Sequence, residues 1–237
     1  MTTVVPSDVT GMAIYGVPSE EKRTTGSDLT ISSRVIKRPK PKKCIGNLVT
    51  LPDLHDYTVC GIDPGTSSQA VRIERLVDGV CEEVFELDVL SYKTDSTLIE
   101  TMAEDMRIIL SIYKIDLAVI EKQLGKFLDT SLTAYMCLAT VCRLAGIPLV
   151  ILHPRARFNL YDINTGTRAE KKKKIAELGQ QMLRDEGDEK SLQIIESVKG
   201  RTAANGTKVS KGKIVSDMSD TITIIRCAHD LLALACE

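Results

Sequence analysis

The sequence predicts an α/β domain built on a mixed five-stranded sheet with helices on both faces. Three observations carry that prediction. Three β-rich runs follow one another between residues 57 and 90, joined by turn residues. After them, short apolar runs alternate with amphipathic helical segments. Such alternation demands parallel crossovers, whereas the opening runs suit an antiparallel meander.

The elements follow in order. Residues 57–62 form a short β-rich run that ends in the turn sequence Asp63-Pro64-Gly65-Thr66. Residues 70–76 alternate Val71, Ile73 and Arg75 against Arg72, Glu74 and Leu76. Residues 80–90 carry Val84, Phe85, Leu87, Val89 and Leu90, and Gly79 between the two runs points to a hairpin. Thr97-Leu98-Ile99-Glu100 has the form of a capping box that opens a helix. Leu98, Met102, Met106 and Ile109 share one face of that helix. Residues 117–120 are continuously apolar and end at Glu121, the pattern of a strand buried on both faces. A helix over 130–145, stopped at Gly146, is apolar nearly all round, so it lies between layers or at a dimer face. Residues 149–152 give another buried strand, and 168–183 and 217–236 give two more amphipathic helices. The apolar stretch 132–152 is not a membrane span, because Arg143 and Gly146-Ile147-Pro148 interrupt it. No membrane partner is expected.

Composition bounds the class. Hydrophobic residues are 43% and charged residues 27%, and the net charge is -1. Collagen-like, wholly disordered and disulfide-scaffold classes are excluded. Residues 1–56 stand apart: they hold Pro6, Pro18, Pro39, Pro41 and Pro52, and 34–43 contains six basic residues in ten. They are expected to form a flexible basic arm before an ordered domain over 57–237. No signal peptide is visible at the start. Seven cysteines, an odd number without Cys-x-x-Cys, together with only 3 histidines, suit buried thiols in a reducing intracellular compartment. That compartment is the cytoplasm, a viral replication site in a host cell, or an organelle.

Four carboxylates carry the chemistry. Asp63 and Glu121 end two buried strands, where an unpartnered charge is costly. Asp217 and Asp220, at i and i+3 on the last helix, share a face. Helix capping would explain that second pair alone. Together the four oxygen donors suit Mg²⁺ or Mn²⁺, with two ions per site expected. Two such ions can activate water and stabilise the leaving oxygen of a phosphodiester.

Four motifs in order resemble the RuvC-type Holliday junction resolvases of the RNase H-like superfamily, which include viral and phage members. Gly61-Ile62-Asp63-Pro64-Gly65-Thr66 resembles their opening motif and Val119-Ile120-Glu121-Lys122-Gln123 their second acidic strand. Gly166-Thr167-Arg168-Ala169-Glu170-Lys171 resembles the entry to their third helix, and Asp217-Met218-Ser219-Asp220 their final Asp-x-x-Asp. Ser216 and Thr221 depart from the common pattern around that last motif. The resemblance spans about residues 57–237. It implies an RNase H-like fold, a homodimer, and metal-dependent symmetric cleavage of four-way DNA junctions that leaves 5′-phosphate and 3′-hydroxyl ends. It implies Asp63, Glu121, Asp217 and Asp220 as metal ligands and catalytic residues.

Cations supply candidate DNA contacts. Arg168, Lys171, Lys172, Lys173 and Lys174 open a helix, where positive charge opposes the helix dipole and phosphate contact explains it better. Residues 199–213 hold Lys199, Arg201, Lys208, Lys211 and Lys213 with no acid, the composition of a flexible basic loop. Lys213 is a candidate for stabilising charge on the leaving oxygen, or for phosphate binding. Lys122 and Lys126 belong to the same groove, and Phe127 is either a wedge against unstacked bases or a core residue. His153, with Arg155 and Arg157, is either a DNA-facing cluster or a hydrogen-bonded structural histidine. The charge balance therefore sums unlike regions, with basic stretches offset by Glu82, Glu83, Glu86 and Asp88 and by the site itself.

Competing readings are an RNase H-type hybrid nuclease, an ATP-dependent actin-like or sugar-kinase-like phosphotransferase, and a non-catalytic junction binder. The phosphotransferase shares a strand followed by Asp-x-Gly-Thr, but the chain is short for paired domains and lacks a second Gly-rich phosphate loop.

Overall fold

A computed structural model of the chain describes residues 3–4, 12–15, 50–51, 53–66, 68–93, 95–123, 130–202, 206 and 208–236. Strands β1 (Thr3–Val4) and β3 (Thr50–Leu51) pair with each other, and β2 (Met12–Tyr15) lies between them in sequence. The meander consists of β4 (Asp56–Asp63), β5 (Ser68–Val77) and β6 (Val80–Ser91), all antiparallel. Asp78 and Gly79 join β5 to β6 with positive φ at both residues (49° and 82°), the backbone a two-residue hairpin needs. Next come α1 (Leu98–Ile112), β7 (Leu117–Glu121), α2 (Thr130–Leu144) and β8 (Leu149–Leu152). Then α3 (Pro154–Leu160), α4 (Arg168–Glu186) and α5 (Glu189–Ser197) lead to the hairpin β9 (Arg201–Thr202) and β10 (Lys208–Val209). The long α6 (Lys211–Cys236) closes the chain.

The sheet order is β2-β8-β7-β4-β5-β6. The five strands from β8 to β6 are the expected mixed sheet: β4, β5 and β6 antiparallel, with β7 and β8 added parallel on the other side of β4, an RNase H-like arrangement. The sixth strand, β2, comes from within 1–56 and pairs antiparallel with β8. Alternation along the central strands divides the core. Cys60, Ile62, Val71, Ile73, Ala118 and Ile120 meet Met102, Met106, Leu138 and Cys142 of α1 and α2. Val59, Leu76, Leu117, Val119, Val150 and Leu152 meet Ile224, Ile225, Ala228 and Leu232 of α6. Helices α4 and α5 add Leu183 and Ile195 over Ala70, Val89, Ile214 and Met218. Cys60, Cys142 and Cys227 are buried free thiols, as expected. Among the described residues, no helix is long and apolar enough to cross a membrane.

Several expectations are corrected. Thr97 makes no capping bond, because Asp95 captures both its backbone N–H (2.9 Å) and its hydroxyl (2.7 Å). The capping box forms instead at Thr167 and Glu170, the start of α4. Helix α6 begins at Lys211 rather than 217, and 199–213 is not one loop, since β9, β10 and the first turn of α6 occupy it. Helix α2 is not apolar all round: Thr133, Thr140 and Arg143 face solvent beside Met136 and Leu144.

Arg72 and Glu74 lie on a strand face that the alternation left open, and both are fully buried. Arg72 donates to Glu74 (2.7 Å), to the Ser191 hydroxyl (2.7 Å) and to Asp188 (2.7 Å). Arg226 of α6 donates to Glu74 (2.5 Å) and to Glu186 (2.6 Å). This network ties the α4–α5 corner and α6 to the sheet. Burial alone would raise the Glu74 pKa, but Arg226 and Arg72 override it and bring it down to about 2. Glu74→Ala takes one carboxylate partner from each of two buried guanidinium groups, and a loss of about 3–5 kcal/mol is expected in urea unfolding. Because the folded-state pKa is depressed, the stability from Glu74 is complete above its ordinary value of 4.5 and is lost as pH falls from there through about 2. Acid unfolding followed by circular dichroism checks this, and the alanine variant is expected to lose that part of the pH dependence.

Candidate active site

Strands β4 and β7 are parallel neighbours, with Ile62 paired to Ile120. Each ends one residue later, so Asp63 and Glu121 emerge side by side at one edge of the sheet. In open α/β sheets the crevice at the carboxyl ends of the strands is where ligands bind. Helix α6 packs under this edge at very short range. A Cβ on Gly61 would lie 2.6 Å from Ile225 Cγ1 and 3.2 Å from the Thr221 carbonyl. A Cβ on Gly179 of α4 would lie 2.7 Å from the Ser219 carbonyl. These two glycines let a strand and a helix close on α6 from either side. Asp217 and Asp220 thereby reach Asp63, and all three present carboxylate oxygens within 4.8 Å of one another. Since Asp217 and Asp220 sit beyond the first turn of α6, helix capping does not account for them.

Glu121 lies in the same cleft and is paired with Arg157 of α3. The Arg157 guanidinium is 4% exposed. It also donates to Asp220 Oδ1 (3.1 Å), to the Asp220 carbonyl (3.2 Å) and to the Thr223 hydroxyl (2.7 Å). Two lysines complete the balance. Lys213 Nζ reaches Asp217 (2.6 Å) and Ser68 Oγ (3.1 Å), and Lys172 Nζ reaches the other oxygen of Asp217 (3.2 Å). Their side chains are 45% and 48% exposed. Half-exposed lysine pairs contribute about 0–1 kcal/mol and yield readily. Stripping Arg157 from its partners would leave buried charges uncompensated, at about 3–5 kcal/mol.

Two of these carboxylates, Asp63 and Asp220, bind protons more readily than usual. Burial, then repulsion from Glu121 and Asp220, raises the Asp63 pKa well above the ordinary range, although Arg157 opposes the shift. Burial likewise raises Asp220 against the pull of Arg157. Burial works against charge on Arg157 and Lys172, yet the carboxylates around them leave both pKa values raised. The hard-oxygen triad fits Mg²⁺ or Mn²⁺, because a divalent cation relieves the same repulsion that now favours protons.

The cleft has a volume of about 680 Å³ and is also lined by Lys122, Phe158 and Lys171. The Lys171 ammonium sits 5.6 Å from the centre of the Phe158 ring. Of the residues proposed from sequence, Asp63, Glu121, Asp217, Asp220, Lys213, Lys122, Lys171 and Lys172 line this one cleft. Lys173 pairs with Glu177 at 3.7 Å, and Lys174 is exposed on α4. Lys208 is exposed on β10, and Lys211 donates to the Glu196 carbonyl (2.7 Å). Arg168 opens α4, but its side chain, like Lys126 and Phe127 entirely, lies outside the described residues. His153 is the N-cap of α3 and accepts from the Arg155 N–H (3.2 Å), a structural role. Ser68 and Phe158 are site residues that sequence reasoning did not select. Arg157 entered it only beside His153 and Arg155 as a candidate DNA-facing cluster, not as a partner of the carboxylates.

No protein-family model matches the chain, and no curated protein matches it. Solved structures similar to it include Thermus thermophilus RuvC, at 11% identity and a TM-score of 0.49 over 75% of this chain and 97% of that one. Another is T. thermophilus RuvC in complex with a Holliday junction substrate, at 11% identity and a TM-score of 0.45, covering 75% and 95% of the two chains. A third is the yeast mitochondrial Holliday junction resolvase Ydc2, at 13% identity and a TM-score of 0.42, covering 74% and 80%.

Gly61→Ala pushes a methyl into Ile225 and is expected to cost about 1–3 kcal/mol in urea unfolding. By displacing α6 it also weakens Mn²⁺ binding in titrations of the folded variant. In the native chain Mn²⁺ affinity is expected to fall as pH drops below neutral, because protons on Asp63 and Asp220 compete with the ion. An affinity that stays flat with pH would contradict this assignment.

Proposed function

We propose that the chain is a divalent-metal-dependent, structure-selective endonuclease that resolves four-way DNA junctions by symmetric phosphodiester hydrolysis. The observation that carries this reading is the Asp63, Asp217 and Asp220 triad in a cleft bordered by Lys122, Lys171, Lys172 and Lys213. Carboxylates for a metal and cations for phosphates converge there, as hydrolysis of a nucleic-acid backbone requires. The four-motif resemblance to the RuvC-type resolvases supports the choice of junction DNA. The nuclease unit spans 57–237 and takes β2 of the preceding arm, residues 1–56, into its sheet, and the basic stretch 34–43 of that arm adds phosphate contacts.

Each side chain has a part. Asp63, Asp217 and Asp220 hold a divalent cation, Mg²⁺ or Mn²⁺. The bound ion supplies an acidified water and a Lewis acid for the phosphate. Lys213, which reaches Asp217 and Ser68, is released from Asp217 when the cation binds and brings its ammonium to the charge that develops on the departing oxygen. Lys122, Lys171 and Lys172 hold the flanking phosphates, and the Phe158 ring offers an apolar wall for sugar or base.

Symmetric cleavage needs two sites related by a two-fold axis, hence a homodimer. Exposed Ile108 and Ile112 of α1 and Met136 and Leu144 of α2, on two helices packed together, supply an apolar face for a second copy.

The decisive experiment incubates the protein with a synthetic four-way junction, a linear duplex and an RNA–DNA hybrid, each with Mg²⁺ or EDTA. Paired symmetric nicks in the junction alone, abolished by EDTA and by Asp63→Asn, are expected. Selective loss of RNA from the hybrid would make it an RNase H-type enzyme instead, and ATP hydrolysis would favour the phosphotransferase. Lys213→Ala is expected to slow junction cleavage roughly 100-fold with little change in junction affinity. The double variant Ile112→Glu, Leu144→Glu is expected to sediment as a monomer and to lose paired nicking. A dimer that survives both charges would move the interface elsewhere.

A further inference from the structure

We propose that Arg157 is a built-in cation of the acidic site, which holds Glu121 so that the chain takes one divalent ion, on Asp63, Asp217 and Asp220, rather than two. The inference deepens the metal-dependent nuclease reading and rests on it.

Three cations, Arg157, Lys172 and Lys213, face four carboxylates, and they are not equivalent. Lys172 and Lys213 reach in from half-exposed positions on flexible stems. They can turn outward when an ion arrives at Asp217. Arg157 lines the cleft as well, but its side chain is only 4% exposed and is held by partners on α6. Its seat is also built independently of the acids. The Asp220 main-chain carbonyl and the Thr223 hydroxyl both accept from Nη1, and neither changes when the carboxylates bind something else. The guanidinium is therefore held at a fixed point by α6, and Glu121 pairs with it there.

The consequences follow from geometry. The three carboxylates that converge within 4.8 Å are Asp63, Asp217 and Asp220, and Glu121 is outside that set. A second divalent ion between Glu121 and the triad would have to sit against a buried positive charge that cannot leave. Arg157 occupies the electrostatic place of that ion. It acts through Glu121 and Asp220, so it is a positioning residue, and it keeps both carboxylates oriented whether or not metal is present.

The test is Mn²⁺ titration of the full chain, with free Mn²⁺ followed by electron paramagnetic resonance. One Mn²⁺ per chain is expected in the native protein. Glu121→Gln keeps the Arg157 contact through its amide oxygen and is expected to weaken that ion no more than about ten-fold, whereas Asp217→Asn weakens it well over ten-fold. Arg157→Met is expected to gain a second Mn²⁺. Two ions of comparable affinity in the native chain would overturn the proposal, as would equal losses in the Glu121 and Asp217 variants, or no gain in a folded Arg157→Met. If Arg157→Met does not fold, the native count and the Glu121 against Asp217 comparison still decide. Junction cleavage measured on the same samples separates the two readings. A native chain that binds one Mn²⁺ and cuts nothing removes the nuclease reading alone. An active chain with two ions removes only the role given to Arg157.

Discussion

Four carboxylates forced together at one edge of a sheet are the constraint on which the rest of the structure depends. Asp63 and Glu121 arrive there because two parallel strands end in register, and Asp217 and Asp220 because a helix packs beneath them. Burial first, and then the carboxylates' mutual repulsion, lifts the pKa values of Asp63 and Asp220. The surrounding structure supplies positive charge in two grades. Arg157 is buried and fixed, and the two lysines are half-exposed and yielding. The fixed cation keeps the fold intact, and the yielding ones leave the triad open to a ligand.

Helix α6 joins this site to the core. Ile224, Ile225, Ala228 and Leu232 bury into the sheet, Asp217 and Asp220 face the cleft, and Arg226 enters the second buried network with Glu74 and Arg72. The two charged clusters differ in kind. Around Glu74 the charges are mutually satisfied and the carboxylate pKa is depressed, the signature of a structural network. Around Asp63 burial, then repulsion from Glu121 and Asp220, raises the Asp63 pKa, and burial raises that of Asp220 against the pull of Arg157. A charge count alone would not distinguish them, whereas the direction of the shifts does.

Much of this was legible in the residues. The strands ending at Asp63 and Glu121 were visible because a continuous apolar run stopped at a carboxylate, and that pattern survives folding unchanged. The mixed sheet, an antiparallel meander followed by parallel strands with helices on both faces, followed from alternation and connection rules, which depend on local pattern. Its RNase H-like character came from the motif resemblance. Where the reading failed, a longer-range partner won. The capping box at Thr97 lost its hydroxyl to Asp95, while Thr167 and Glu170 kept theirs. The alternation over 70–76 set Arg72 and Glu74 on one side of the strand without showing that they are buried, because their counter-charges, Arg226 and Asp188, lie more than a hundred residues away. The start of α6 was set six residues too late, since Lys211-Gly212-Lys213 carries a loop-like composition that Ile214 and Met218, packed in the core, override.

The residue types needed for the chemistry, their order along the chain and the strands that carry them were determined by sequence, because apolar runs and their terminating acids are local. Arg157 was decided only by tertiary structure. In sequence it is one of two arginines after His153, with nothing to separate it from its exposed neighbour Arg155. It becomes part of the site because α3 turns it inward onto Asp220 and Thr223 of α6, and because two glycines allow α6 to come close enough to meet it. Close approach between distant segments is a property of the packed core, and no single segment encodes it.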